Sequence, residues 1–151
     1  MKVYRLTKTE YASDISGAGA AQHGGRWNRP GTAMLYTGAS VEIALLETIA
    51  NAPPMLVPAL SLVTVEFPET SVYEIHRKHL PKNWRTYPPP AILAEIGDNW
   101  AREMKTLALK VPSCIVPSAF NYILNCQHPL YSQSIKIVAK EKFNLDPGLR
   151  G

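Results

Sequence analysis

Leu60-Ser61-Leu62-Val63-Thr64-Val65-Glu66-Phe67 is the stretch from which the fold class can be read. It is β-branched and partly alternating, the pattern of a strand. Upstream, residues 3–6 and 33–37 read as short strands. Ser40 stands where the N-cap of a helix running to about residue 50 would be, with Pro53-Pro54 as its stop. Downstream, residues 72–75 add a short strand, and 81–90 hold four prolines in ten residues, which makes that segment loop. Residues 91–107 place Ile92, Leu93, Ile96, Trp100, Met104 and Leu107 near helical spacing. The spacing then predicts a buried strand at 114–116, a short helix at 119–125 and a last strand at 134–140, with Ile135, Ile137 and Ala139 on one face. Strands and helices mix without regular βαβ alternation, so the expected class is α+β. Residues 12–33, rich in Gly, Ala and Ser, read as a long loop, and loops of that length inside a domain are often functional.

The 151 residues suit one domain, expected to span 1–151. Hydrophobic residues are 46% and charged residues 19%, which excludes a disordered chain. No apolar run reaches the roughly 18 to 20 residues that cross a bilayer, and Met1-Lys2-Val3-Tyr4-Arg5 enters a strand without the apolar core of a signal peptide. A cytoplasmic protein with no membrane partner is expected. The net charge of +4 permits an anionic partner without demanding one, because the positive charges are spread along the chain. Cys114 and Cys126 cannot build a disulfide framework and read as small core side chains.

Several chemistries find no support. His76 and His79 are the only histidines close in sequence, and no carboxylate or thiol stands with them at ligand spacing, so no metal is expected. A nucleophile elbow, a phosphate-cradling Walker loop and a dinucleotide fingerprint are all absent. The segment Gly24-Gly25-Arg26-Trp27-Asn28-Arg29-Pro30-Gly31 supports two accounts. Its glycines permit close approach of backbone to a ligand, with arginines for anion pairing and an indole for stacking. Equally, it is a turn with Trp27 anchored in the core. Tyr36 ends the next strand, and Glu47 lies on the following helix, 240° around from Val41 at 100° per residue. That position flanks the apolar stripe, so periodicity does not single Glu47 out. Further on, Pro117-Ser118 precede Asn121 and Asn125, which would share a helix face, with Ser118 as the N-cap.

Taken together, these segments resemble the RES-domain family, the toxin half of RES–Xre toxin–antitoxin modules. The resemblance runs from Tyr4-Arg5-Leu6 through Gly24-Gly25-Arg26-Trp27-Asn28, Leu35-Tyr36-Thr37 and Ala44-Leu45-Leu46-Glu47. It closes with Pro117-Ser118, Asn121-Tyr122-Ile123-Leu124-Asn125 and His128-Pro129. The resemblance implies a compact domain like the ADP-ribosyltransferase fold, with mixed sheets and short helices, and an enzyme that consumes NAD as substrate, with no resident cofactor. It matches the family's Arg, Glu and Ser to Arg26, Glu47 and Ser118. Breaking the nicotinamide–ribose bond requires a pyrophosphate anchor, a platform for the ring and a carboxylate at the ribose. Arg26, Tyr36 and Glu47 are matched to those catalytic roles, with Arg5, Gly25, Trp27, Ser118 and Asn121 as substrate-binding residues.

The implied partners are an Xre-like antitoxin, which would bring any DNA contact indirectly, and a second copy of this chain within that complex. The sequence ends soon after Leu145-Asp146-Pro147-Gly148, which leaves antitoxin contacts at that end open. The acceptor of the ADP-ribosyl group, whether water, phosphate or protein, also stays open. Protein ADP-ribosylation at the same residues is one alternative, and a non-enzymatic basic module that binds nucleic acid or a protein partner is another.

Overall fold

The computed structural model describes residues 1–51 and 59–145. In chain order its elements are β1 (Lys2–Lys8), a 3-10 turn (Thr9–Tyr11), α1 (Ala18–His23), β2 (Met34–Gly38), α2 (Val41–Asn51), β3 (Leu60–Glu66) and β4 (Val72–Glu74). A second 3-10 turn (Arg77–His79), α3 (Ala91–Glu103), β5 (Ala108–Pro112), β6 (Phe120–Asn125), α4 (Tyr131–Ser134) and β7 (Lys136–Phe143) complete the set. The strands form one mixed sheet in the order β4-β5-β6-β2-β1-β3-β7, parallel between β4 and β5 and antiparallel elsewhere. The class is α+β, as the irregular alternation predicts.

Alternation along the central strands divides the core in two. Val3, Leu35, Val63, Val65, Tyr122 and Leu124 turn to one face, against Phe67, Tyr131 and Ile135. Met34, Leu109, Val111 and Ile123 turn to the other, against Trp27, Trp84 and the α3 residues Leu93, Trp100 and Ala101. Gly97 lets α3 lie flush on this second layer, since a Cβ there would run into the Trp27 carbonyl oxygen.

The pairing is uneven. β1 pairs with β3 along its whole length, from Lys2↔Glu66 to Lys8↔Leu60, but meets β2 only at Tyr4↔Gly38. Beyond that rung the two strands splay and the sheet parts into β4-β5-β6-β2 and β1-β3-β7. α2 lies against this gap, its Thr48 hydroxyl shared between the Ala44 carbonyl oxygen at 2.9 Å and the Leu6 carbonyl oxygen of β1 at 3.3 Å. Tight packing brings α2 to the end of β2, where a Cβ on Gly38 would meet the Ile43 side chain at 2.7 Å.

Several elements differ from expectation. The helix expected at 119–125 is strand β6, and Ser118 caps nothing; it is exposed in the turn before the strand. β6 lies between β5 and β2 with both faces covered, so Tyr122, Ile123 and Leu124 are all buried and the stretch loses its alternation. Residues 114–116 form a bend, not a strand, because β5 ends at Pro112. The third helix stops at Glu103 on the left-handed Met104 (φ 55°), and Leu107 leads into β5. The 12–33 loop contains α1. The last strand starts at Lys136, and a bulge opposite Thr64 and Val65 skips Val138, leaving Ala139 exposed and off the face of Ile137. Ser40 does cap α2, accepting from the Ile43 amide at 3.1 Å. Both cysteines are half-buried free thiols. Pro53-Pro54 and residues 146–148 lie outside the described residues.

Candidate active site

The parting of β1 from β2 leaves a cavity of about 160 Å³ lined by Arg5 on one lip, Met34, Leu35 and Tyr36 on the other, and Asp14 with residues 17–20 across its end. Arg5 Nη1 donates to the Asp14 carbonyl oxygen at 2.9 Å. Burial lowers the guanidinium's pKa from its ordinary value, against the opposing pull of Asp14.

Tyr36 is fixed by its hydroxyl, which donates to Asn28 Oδ1 at 2.7 Å and accepts from the Trp27 amide at 3.0 Å. Burial raises this phenol far above its ordinary pKa, so it stays protonated. The glycine-rich turn exists around that hydroxyl. Gly24 takes a left-handed φ of 75°, and a Cβ on Gly25 would lie 2.6 Å from the Tyr36 oxygen. Asn28, 2% exposed, ties the turn together by donating to the carbonyls of Ala20, Arg29 and Thr32.

The same turn sends its two large side chains apart. Trp27 is 3% exposed and packs in the core, so it offers no stacking face to a ligand; of the two accounts of this segment, the anchored indole is the one observed. Arg26 Nη1 donates to the carbonyls of Trp84 (2.9 Å) and Thr86 (3.2 Å), which pins the proline-rich loop to the glycine turn.

Glu47 faces inward from α2. Its Oε1 accepts from Ser113 Oγ at 2.8 Å and from Asn121 Nδ2 at 2.9 Å, while Oε2 takes no hydrogen bond among the described residues. Ser113, fully buried, also accepts from the amides of Ile115 and Val116, so its hydroxyl holds both the carboxylate and the turn that follows β5. Asn121 reaches Glu47 from β6, and its own Oδ1 is buried without a partner among the described residues.

The structure therefore brings Glu47 and Asn121 together, and sets Arg5 and Tyr36 on opposite lips of one crevice. It separates Ser118, which makes no side-chain bond to this cluster; the serine on Glu47 is Ser113. Sequence reasoning missed Ser113 and Asn28. The available signal was polarity: Ser113 interrupts the apolar stretch from Val111 to Val116, where an unpaired hydroxyl would be costly.

A mixed sheet split over such a cluster defines an α+β domain with a carboxylate-centred site. It superposes on a chain in the crystal structure of the M. tuberculosis MbcT–MbcA toxin–antitoxin complex with a TM-score of 0.73 and 20% identity, over 99% of this chain and 86% of that one. The RES domain profile matches residues 2–146, and the chain belongs to the RES domain family. It is 34% identical to Toxin Res of Yersinia enterocolitica over 99% of this chain and all of that one. It is also 35% identical to the Prs ADP-ribosylating toxin of a Sphingobium species, over 93% of this chain and 89% of that protein. Among the described residues no helix is long and apolar enough to cross a membrane.

Proposed function

We propose that this chain is the toxin of a toxin–antitoxin module and that it cleaves the nicotinamide–ribose bond of NAD, transferring the ADP-ribosyl group to water or phosphate. The observation that carries this reading is the Glu47 carboxylate, held at one oxygen by Ser113 and Asn121 and left with the other unengaged. When the bond breaks, nicotinamide leaves with the electron pair and positive charge develops on the ribose. A preorganised carboxylate stabilises that charge and accepts a hydrogen bond from a ribose hydroxyl. The 160 Å³ crevice between Arg5 and Tyr36 suits a single aromatic ring, since an engineered cavity of about 150 Å³ holds benzene. Arg26 keeps N–H donors beyond the one on Trp84 and Thr86, enough to meet a pyrophosphate oxygen. An antitoxin of the Xre type that closes this crevice would account for control of the activity, and the likeness to a chain of the MbcT–MbcA complex supports an antitoxin as partner. NAD enters this scheme as substrate, with no resident cofactor.

A second reading, transfer to a protein side chain, is favoured by the likeness to a relative named for ADP-ribosylating Prs. NAD consumption by purified, antitoxin-free protein, followed by product identification, tests both. Free ADP-ribose or its 1-phosphate supports the first, and label retained on protein supports the second. Glu47→Gln is expected to lower NAD loss by roughly 100-fold or more with the melting temperature unchanged. Equal turnover in a folded variant would remove Glu47 from the reaction, and no NAD loss in either protein would favour a binding module.

A further inference from the structure

Beyond the crevice, an open groove of about 570 Å³ is lined by His76, Arg77, Lys78, Trp84, Arg85 and Pro117. Its positive charge is uncompensated. Glu74, on the neighbouring strand, already pairs with His76 and Lys110, and Arg77, Lys78 and Arg85 have no carboxylate partner among the described residues. Three like charges converging without a counter-charge repel one another, and the field they set up favours an anionic occupant.

The groove is rigidly built. Trp84 forms its floor with 7% exposure, its carbonyl held by Arg26, and Arg85 Nε donates to the Cys114 carbonyl oxygen at 2.9 Å. Pro117 comes from the same turn that begins with Ser113, so the groove shares a wall with the segment that holds Glu47.

We infer that this groove is a docking site for an acidic segment of the antitoxin, an inference that rests on the toxin–antitoxin reading above. Its openness suits a polypeptide laid along it; small-molecule sites enclose most of their ligand. A buried aromatic floor with exposed charges at the rim is the anatomy of a protein interface. A nucleic acid would need a continuous track of cations at phosphate spacing. The other cluster of exposed lysines, Lys136, Lys140 and Lys142, lies on β7 at the opposite edge of the sheet from β4, whose chain continues into the groove. A partner seated here rests on the rim of the candidate active site, and charge attraction speeds its arrival.

The test uses the full chain and a fluorescein-labelled hexaglutamate peptide, read by anisotropy at low salt, beside the wild-type toxin–antitoxin complex. Arg77→Glu with Lys78→Glu is expected to weaken peptide binding by roughly tenfold or more and to speed antitoxin dissociation similarly, with NAD loss unchanged. Lys140→Glu with Lys142→Glu, an equal change in net charge, should leave both unaffected. Equal weakening by the two pairs, no weakening by either, or loss of duplex DNA or inorganic phosphate binding with antitoxin dissociation unaltered, would overturn the inference. If the wild type consumes no NAD, the functional reading fails while the peptide measurement still decides the groove.

Discussion

Ser113 and Glu47 are far apart in sequence, yet one hydroxyl joins them and at the same time caps the turn after β5. Replacing it by Ala leaves two half-buried amides without their acceptor and removes one of the two donors on Glu47 Oε1, which costs about 2 kcal/mol of stability. Ser113→Ala is therefore expected to melt earlier. If the proposed role of Glu47 holds, kcat for NAD loss should fall by roughly tenfold or more while KM changes little. Thermal melts and steady-state kinetics on the same preparation check this, and a lower melting temperature with wild-type kcat would leave Ser113 a purely structural residue. None of this could be read from periodicity. Glu47 flanks the apolar stripe of α2 like any solvated residue, and resemblance alone singled it out. The same resemblance matches the family's serine to Ser118, five positions on and exposed, whereas the hydroxyl that bonds Glu47 is that of Ser113, which no match pointed to.

At the level of elements, amphipathic segments were legible and central ones were not. α2, with Ser40 as its cap, and the β-branched β3 carry local signals that agree with the elements they form. β6 does not, because burial on both faces removes the period that separates a strand from a short helix, and Asn121 and Asn125 share a face in either form. The third helix shows how an element positions the site indirectly. Asp98 accepts from the Arg29 amide at 3.3 Å, and Gly97 lies against the Trp27 carbonyl, so α3 holds the turn that in turn fixes Tyr36. Gly97→Ala drives a methyl group into backbone that has no rotamer to relieve it. The expected cost is about 3 kcal/mol, or roughly 10 °C in melting temperature. A melting temperature within a degree of wild type would show that α3 can slide away from the turn.

Over the whole molecule, buried acidic groups set an alkaline limit. Burial raises the Cys126 thiol from 9.0 to about 11 and raises the phenols of Tyr36 and Tyr131 as well. Each holds its proton more tightly folded than unfolded. Their contribution is therefore complete below about pH 9 and is lost as pH rises through the interval up to the folded values. Melting temperatures measured from pH 7 to 11 should be level at first and decline above about pH 9. Cys126→Ala should soften the decline, since that thiol accounts for about 2 kcal/mol of it; a flat profile would mean these groups are solvated. The parted sheet has a different consequence at this scale. The chain passes between the two strand sets at β1 to β2, β2 to β3, β3 to β4 and β6 to β7, so the halves are interlaced like two boards laced by one cord. No single cut separates them into self-sufficient fragments, so the lone Tyr4–Gly38 rung is not all that keeps the boards together. α2 is part of one lacing, so any widening of the gap carries Glu47 along with it.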